Sequence, residues 1–430
     1  MNPVFSTLLR LIRDALNEEG LPRSVLLRSA DTAEPSGAAD WEAVLQEARA
    51  QTVLGLVFPA LPAEAMAALP PASAAALKTE VFQLKAKFMR ILYGQTRLVS
   101  LFQAAGIPLV ILKGMAAAMY YPTPAARAMG DVDFLVPPER FADALRLMER
   151  SGYARRPEKA DEAPVQASGI MPDAAPAGSG PPGRPEPDPA DDSPRHVQFF
   201  RDGVEYELHH HFSSFGLDLE PILLDAFDRP VTRGIAGRAF PTLPNPENAL
   251  VLLAHIRQHL LESGLGLRQV IDWLQCLRSL SAEETARLQL LARQTGLYTL
   301  ACTVNRICDH HLGSSFCWDA AVEQETEEAL LEHLFERGNF GRKLGADRPV
   351  EAVSLSIREQ GLFPYLQRMG LLHWEAARRY AFLRPFAWLH TVFRYAGKGT
   401  RLLARSPAQV RSQVSDGMKI NTLLHRLGLD

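Results

Sequence analysis

The stretch GDVDFLV, residues 130–136, places two aspartates one residue apart at the start of an apolar run. If 131–136 form a strand, Asp131 and Asp133 point to the same face of a sheet, with Cα atoms about 6.6 Å apart. Two carboxylates at that separation repel each other unless a cation lies between them. The stretch therefore predicts a buried strand whose polar end binds a cation.

The residues on either side predict the rest of a small sheet with helices around it. IPLVILK, residues 107–113, is a continuous apolar run rich in branched side chains, which is typical of a strand covered on both faces. Gly114 ends this run, a short helix is expected over 115–121, and two prolines then force a loop that leads into 130–136. The segment ERFADALRLMERSGY, residues 139–153, predicts an amphipathic helix.

A second acidic strand is expected further along the chain. The segment HVQFFRDGVEYELHHHF, residues 196–212, contains two alternating runs on either side of an Asp-Gly pair at 202–203. An Asp-Gly pair in this position is a strong signal for a two-residue hairpin turn. The period of two places Glu205, Glu207 and His209 on one face of the second strand, so carboxylates and an imidazole share a surface.

The two predicted strands together supply an acidic trio of Asp131, Asp133 and Glu207, with Glu205 as an alternative to Glu207. Mg²⁺ prefers oxygen ligands and usually bridges carboxylates to substrate phosphates. Two such ions about 4 Å apart can stabilise both the attacking and the leaving oxygen in phosphoryl transfer. The residues therefore predict a divalent metal site suited to phosphoryl chemistry.

The motifs resemble those of a known family. LKGMAAAMYYPTPAARAMGDVDFLV, residues 112–136, and VEYELHHHF, residues 204–212, resemble an uncharacterised bacterial nucleotidyltransferase family of the DNA polymerase beta superfamily. Members show a Lys-Gly pair after the first strand, an arginine before the Asp-x-Asp pair, and an acidic residue, a leucine and a histidine on a later strand. The similarity covers residues 35–280, including the flanking segments DWEAVLQEA, AHIRQH and LRQVIDWL.

The resemblance implies a reaction and a set of metal ligands. The expected reaction moves a nucleoside monophosphate from an NTP, with ATP the expected nucleotide, to an acceptor hydroxyl and releases pyrophosphate. Asp131 and Asp133 would bind two Mg²⁺ ions, and Glu207 would complete the metal site on the nucleophile side or accept the proton of the acceptor. The acceptor itself, whether small molecule, glycan, peptide or protein, is left open.

The same resemblance implies the nucleotide contacts. Gly114 would permit close approach of the triphosphate, Lys113 and Arg127 would neutralise it, and His209 would face the site from the second hairpin strand. The chain departs from the wider superfamily at this turn. Other members have Gly-Ser there, whereas Met115 follows the glycine in this sequence, so the serine hydroxyl is missing.

The predicted fold class is α+β, with a small mixed β-sheet nucleotidyltransferase core flanked by predominantly helical N- and C-terminal regions. Helix is expected from Ser73 toward Ala105 and again from about Pro221 onward. The segment 155–195, rich in proline and glycine, cannot bury enough apolar surface to order itself and is expected to be a flexible insertion. The predicted regions are 1–105 (helical), 106–154 with 196–219 (core), 155–195 (insertion), 220–345 (helical) and 346–430 (basic and helical).

Composition limits the classes of partner and the compartment. The net charge is -3, but residues 358–430 carry a local +8, so this basic region is expected to be a solvated helix face or to contact a polyanion or an anionic membrane surface. No secretory signal and no apolar run long enough to span a bilayer are found, and four cysteines without CxxC spacing are expected to be reduced thiols. These features predict a cytoplasmic protein.

Several alternatives remain open from the sequence. His255 and His259 could suit zinc but are expected to be core or supporting histidines, and Arg268 with Asp272 is expected to form an exposed ion pair on a helix. A non-catalytic nucleotide-binding scaffold that acts through its basic tail is the main alternative function. A glycosyltransferase that uses the Asp-x-Asp pair is a third, although such enzymes usually have a strand-rich half before that motif.

Overall fold

The structure is a computed structural model of the chain. It describes residues 2–16, 40–156, 196–209, 213–214, 217–262, 264–316, 318, 322–339, 343, 362–374, 380–393 and 407–429. The predicted insertion at 155–195 falls outside these ranges except for residues 155 and 156, and Cys317 also lies outside them.

A mixed sheet of seven strands forms the centre of the described part of the chain, in the order β3-β4-β5-β2-β1-β9-β8. β2 pairs with β1 in the antiparallel and with β5 in the parallel direction, so it is a central strand. β6 and β7 form a separate short pair. The strands are β1 (Val110–Leu112), β2 (Val132–Leu135), β3 (Ala154–Arg155), β4 (His196–Arg201), β5 (Val204–His209), β6 (Ser213–Ser214), β7 (Leu217–Asp218), β8 (Val231–Ile235) and β9 (Arg238–Thr242).

Helices precede and follow the sheet, which confirms the predicted α+β class with helical flanks. The long helix expected from Ser73 is present and ends just before Gly106, whose φ of +63° is the left-handed geometry of a helix C-terminus. The helices are α1 (Pro3–Leu16), α2 (Trp41–Ala50), α3 (Leu54–Val57), α4 (Ala63–Ala68), α5 (Pro71–Ala104), α6 (Gly114–Ala118), α7 (Phe141–Arg150), α8 (Glu220–Phe227), α9 (Asn245–Glu262), α10 (Leu267–Arg278), α11 (Ala282–Gln294), α12 (Tyr298–Leu312), α13 (Gln324–Arg337), α14 (Leu362–His373) and α15 (Pro407–Arg426).

One face of the sheet packs against the second half of α5 and against α7. Phe134, Phe199 and Tyr206 are buried there from three adjacent strands, and the ring of Phe102 on α5 meets that of Phe134 edge to face at 5.4 Å. Every second residue of β2 and β5 points into this core, as the alternating pattern predicts. The intervening residues of these strands, among them the acidic ones, therefore point to the opposite face.

The helices before and after the sheet share a second, larger core. Phe5 of α1 lies with its ring centroid 5.1 Å from that of Phe335 on α13, and buried side chains of α9, α10 and α12 join the same cluster. Leu112 and Leu135 extend this cluster to the face of the sheet opposite α5. The acidic face thus lies next to the helical core, within reach of side chains from α9 and α10.

The predicted hairpin turn was confirmed, whereas the expectation of helix was wrong in one segment. Asp40 caps α2 by accepting a hydrogen bond from the amide of Ala43 at 3.0 Å, and Asp202 and Gly203 form the predicted hairpin turn with φ of +51° and +70°. The expectation of helix from Pro221 onward is wrong at 231–242, which form β8 and β9. Positive φ at 236 and 237, an Ala-Gly pair, closes this hairpin, and its short alternating strands gave too weak a periodic signal.

The predicted strand 107–113 is shorter than expected, since only Val110–Leu112 are paired. The residue that follows them takes a φ of +44°, which turns the chain out of the sheet. Of the four cysteines, Cys276, Cys302 and Cys308 are buried and form no disulfide, as predicted. Among the described helices, none is both long enough and apolar enough to cross a bilayer.

Candidate metal centre

The register of β2 and β5 brings the predicted acidic residues together. Asp133 lies opposite Glu207, and Leu135 lies opposite His209, across a parallel pair of strands. Side chains at such positions share a face of the sheet, so Asp133, Glu207 and His209 converge. One ligand atom from each lies within 4.8 Å of the other two, and within the described ranges no other group of three or more His, Cys, Asp or Glu side chains does the same.

These three side chains form a buried hydrogen-bonded cluster. Nε2 of His209 lies 3.0 Å from Oδ1 of Asp133 and 3.6 Å from Oε2 of Glu207. Nε2 of Gln198 donates to Oε1 of Glu207 at 3.0 Å. Burial works to lower the pKa of His209, but its contacts with Asp133 and Glu207 outweigh burial and raise it. The imidazole is therefore held in the form that donates to the carboxylates.

Lys113 supplies a second positive charge to the same carboxylate. Its Nζ lies 2.8 Å from Oδ1 of Asp133, and the two side chains are 12% and 5% exposed. Burial opposes the ammonium, yet the carboxylates of Asp133, Glu207 and Asp131 raise the pKa of Lys113. Burial likewise opposes the charge on Asp133, but Lys113 and His209 hold the pKa of that carboxyl well below its usual range. In this structure the lysine ammonium is the counter-ion of Asp133.

The backbone of Lys113 is unusual for a residue with a side chain. Its φ of +44° and ψ of -129° lie outside the regions that such residues favour, and the residue sits between β1 and the short helix α6. Strained backbone of this kind persists where the surrounding structure fixes it and is concentrated at functional sites. The strained turn directs the amine at the acidic cluster. It also places Gly114 so that an added Cβ would lie 3.4 Å from the carbonyl oxygen of Asp131.

Asp131 differs from the other acids of the cluster. It precedes β2, is half-buried, and is not one of the three residues that meet within 4.8 Å. Burial and the negative charges of Asp133 and Glu207 raise the pKa of Asp131 to about 7. Burial and the charge of Glu207 also raise the pKa of Glu205. The two aspartates of the Asp-x-Asp pair therefore behave differently: Asp133 is fixed as a carboxylate, and Asp131 holds a proton readily.

The donor set fits a divalent cation. Ligand atoms on opposite sides of a bound Mg²⁺ lie about 4.2 Å apart, twice the metal–oxygen distance. The three side chains each have a ligand atom within 4.8 Å of the other two, so one ion between them could contact all three. An imidazole ligand suits transition metals better than Mg²⁺, whereas the carboxylates of Asp133 and Glu207 suit Mg²⁺. The chemistry of these residues therefore permits a divalent metal bound through the carboxylates, with His209 as a ligand or as the hydrogen-bond partner of Asp133.

Arg127 forms a buried ion pair with a residue of α10. Its Nε and one terminal nitrogen each donate to Asp272 at 2.7 Å, and the two side chains are 4% and 1% exposed. The hydroxyl of Tyr121 donates to the same carboxylate at 2.7 Å. This buried pair ties the loop before β2 to α10, which positions Asp131. A contact between Arg127 and a triphosphate stays a prediction.

The expectation of an exposed pair between Arg268 and Asp272 is wrong, because Asp272 is buried and is occupied by Arg127 and Tyr121. A guanidinium nitrogen of Arg268 instead donates to the carbonyl oxygen of Ala128 at 3.3 Å. Arg268 and Asp272 do lie four residues apart on α10. That spacing could not show that the loop containing Arg127 would cover this face of the helix.

Two histidines of α9 and one glutamine of β4 complete the surroundings. His255 and His259 lie with their Nε2 atoms 2.9 Å apart, and burial lowers the pKa of both, that of His259 to about 3. Their neutral state agrees with the supporting role expected for them.

Gln198 was not predicted. The hairpin register would have identified it, because the turn at 202–203 places Gln198 opposite Glu207.

The chain is similar to a known protein family and to solved structures. A protein-family model described as an uncharacterised nucleotidyltransferase matches residues 37–313. No curated protein matches the chain. The crystal structure of an antigenic nucleotidyltransferase-like protein from Paracoccidioides brasiliensis matches with 14% sequence identity and a TM-score of 0.27, covering 50% of this chain and 92% of that chain. A match at this TM-score carries no argument about the site.

Proposed function

Because the chain belongs to the family of uncharacterised nucleotidyltransferases, we propose that it transfers a nucleoside monophosphate from an NTP to an acceptor hydroxyl in a reaction that depends on Mg²⁺. ATP is the expected nucleotide. The observation that carries the proposal is the convergence of Asp133, Glu207 and His209 within 4.8 Å on adjacent strands, with Asp131 beside them. The cytoplasm is the expected compartment, because the reaction consumes NTP.

The proposed step is a displacement at the α-phosphorus. The acceptor oxygen forms a bond to that phosphorus, the bond from it to the oxygen that bridges the α- and β-phosphates breaks, and pyrophosphate leaves. Glu207 accepts the hydroxyl proton of the acceptor. Divalent cations, when bound, would neutralise the phosphates and lower the pKa of the acceptor hydroxyl. Asp131 and Asp133 would hold these cations, and Glu207 would share in binding the one next to the acceptor.

We propose two roles for Lys113 in this reaction, one without and one with bound nucleotide. Without nucleotide its ammonium neutralises Asp133, and with nucleotide it would turn toward the phosphates, where a flexible amine acts as a mobile point charge. Gly114 would let the triphosphate approach the backbone, and Met115 cannot replace the missing hydroxyl. Arg127 would act mainly by fixing the loop that carries Asp131. We propose that residues 106–154 and 196–219 form the catalytic core, together with β8 and β9.

A label-transfer experiment tests the proposal while the acceptor is still unidentified. The protein would be incubated with Mg²⁺, a bacterial extract and each NTP labelled at the α-phosphate, and in parallel with the γ-labelled NTP. We expect the α-label in a component of the extract and the γ-label in pyrophosphate only. Asp133→Asn and Glu207→Gln should abolish both, whereas Asp143→Asn, at an exposed ion pair on α7, should leave both unchanged.

The non-catalytic scaffold remains a second candidate, since one specific observation favours it: the lysine ammonium already occupies the side of Asp133 where a cation would bind. A scaffold of this kind would bind NTP equally well with and without Mg²⁺ and would transfer no label. An enzyme would bind NTP more tightly with Mg²⁺. If the purified protein bound no NTP under either condition, both candidates would fail.

A further inference from the structure

The C-terminal region contains a short helical segment that packs against α14. Residues 381–386 form a 3-10 helix, and helical turns continue to 393; we call residues 380–393 the aromatic segment. The amide of Trp388 donates to the side-chain oxygen of Gln367 at 3.1 Å, and the hydroxyl of Thr391 donates to the carbonyl oxygen of Leu366 at 2.8 Å. These bonds fix which side of the segment faces α14.

The side that faces α14 carries small residues. Ala387 and Thr391 are buried there, and a Cβ added at Gly370 of α14 would collide with the backbone of Ala387. Small residues at a helix contact let the two backbones approach closely. The segment is therefore held in place by close backbone packing, by hydrogen bonds and by the ring of Trp388, whose centroid lies 5.9 Å from that of Phe363 on α14.

The opposite side carries the large apolar side chains. Phe382, Phe386 and Phe393 are 72%, 53% and 77% exposed. All three lie between residues 382 and 393 of one short helical segment. A surface helix normally buries its large apolar side chains and exposes its polar ones, whereas this segment buries Ala387 and Thr391 and exposes three phenylalanines. Large apolar side chains exposed this close together in the chain favour an interaction site.

The charge of the surrounding sequence indicates the chemistry of the partner. Residues 376–415 contain eight Arg or Lys and no Asp or Glu, although the whole chain has a net charge of -3. Arg384, between the first two phenylalanines, is exposed. The surface lies beyond residues 37–313, which the nucleotidyltransferase family model matches, so the family match does not account for it.

We propose that the aromatic segment binds the surface of a membrane that contains anionic lipids. Exposed phenylalanine rings of a helical segment can enter the boundary between headgroups and acyl chains, and basic residues near them in the sequence are attracted to anionic headgroups. Trp388 and Tyr380, which are half-buried and exposed respectively, have amphipathic rings suited to the headgroup level. A single-stranded nucleic acid would also be attracted by the charge, but it would gain less from a row of apolar rings than an acyl layer does.

The test is vesicle co-sedimentation of the full chain with phosphatidylcholine vesicles and with vesicles in which about a third of the lipid is phosphatidylglycerol. We expect binding to the anionic vesicles, with each nearby basic residue contributing roughly fivefold in affinity and high salt weakening it. The triple variant Phe382→Ser, Phe386→Ser, Phe393→Ser should reduce the binding at least about tenfold, because each ring that enters the interface adds its own transfer energy.

A matched triple variant, Phe82→Ser, Met89→Ser and Leu290→Ser, removes three other exposed apolar side chains and should leave the binding unchanged. Equal loss in the two triple variants would overturn the proposal, as would equal binding to neutral and anionic vesicles. The proposal would also be wrong if neither vesicle bound the chain and the phenylalanine variant abolished self-association or binding of single-stranded nucleic acid. None of these outcomes depends on nucleotidyl transfer, so the two proposals can fail separately.

Discussion

Replacing Lys113 with glutamine should destabilise the metal-free protein and make it respond to Mg²⁺. The ammonium lies 2.8 Å from Oδ1 of Asp133, and Asp131 and Glu207 also act on it. Glutamine keeps the length of the side chain approximately but removes the charge. The carboxylate of Asp133 would then be buried with His209 as its remaining hydrogen-bond partner. A bound divalent cation could take the place of the ammonium.

The size of the effect follows from the geometry of the pair. At 2.8 Å and an effective dielectric constant of about 20, the attraction between the two charges is about 6 kcal/mol. Desolvation offsets part of this, and removing one partner of a buried pair typically costs about 3 to 5 kcal/mol. With a urea m-value of about 3 kcal/mol/M, the midpoint of unfolding should fall by about 1 to 1.7 M.

The assay is urea unfolding followed by tryptophan fluorescence, with and without Mg²⁺, for the wild type, Lys113→Gln and the exposed-lysine control Lys85→Gln. Mg²⁺ should raise the midpoint of Lys113→Gln more than that of the wild type. The pKa of Asp133 is lowered by folding, so its contribution is present at neutral pH and is lost as the pH falls through the folded-state value. The gap between the variants should therefore narrow in acid. Identical midpoints for Lys113→Gln and Lys85→Gln at pH 7 would refute the reasoning.

Three further predictions concern stability. Because folding raises the pKa of Asp131 to about 7, its ionisation opposes folding increasingly between about pH 4 and pH 7; Asp131→Asn should raise the urea midpoint at pH 8 and leave it unchanged at pH 4. In Gly94→Ala the new methyl group would collide with a buried tyrosine hydroxyl, so the free energy of unfolding in urea should fall by about 1 to 3 kcal/mol. Gly130→Ala should lower it less, because there is open space around Gly130. Arg127→Lys should lose the pair of hydrogen bonds to Asp272 and lower the free energy of unfolding by about 1.5 to 3 kcal/mol. An unchanged urea midpoint would contradict a structural role for this arginine.

The central part of the fold could be predicted because its signals are local. The alternation in 204–209, the Asp-Gly turn at 202–203 and the apolar run before Gly114 each act within a few residues, and the structure confirms them. The hairpin at 231–242 was missed because only three of its ten strand residues are buried and because the strands include a proline and a glycine. Its pairing with β1 joins segments more than a hundred residues apart, which no local pattern encodes.

The candidate site was likewise predictable only in part. The period of two placed Glu207 and His209 on one face, and the register then set Glu207 opposite Asp133. The pairing of Arg127 with Asp272 could not be read from the sequence, because the motif that contains Arg127 and the helix that contains Asp272 contact each other only in the folded chain. A charged residue in a motif can bind a ligand or hold the motif in place, and burial of its partner decides between these roles.

The two aspartates of the Asp-x-Asp pair can therefore coexist without a metal, by two different means. Asp133 is neutralised by Lys113 and His209, and Asp131 lowers the remaining repulsion by taking up a proton near pH 7. A divalent cation that binds both carboxylates would displace that proton and compete with the ammonium for Asp133. Under the proposed function, an ammonium released from Asp133 would be available to the phosphates of a nucleotide. Lys113 would then couple metal entry to nucleotide contact through a charge that the protein already carries.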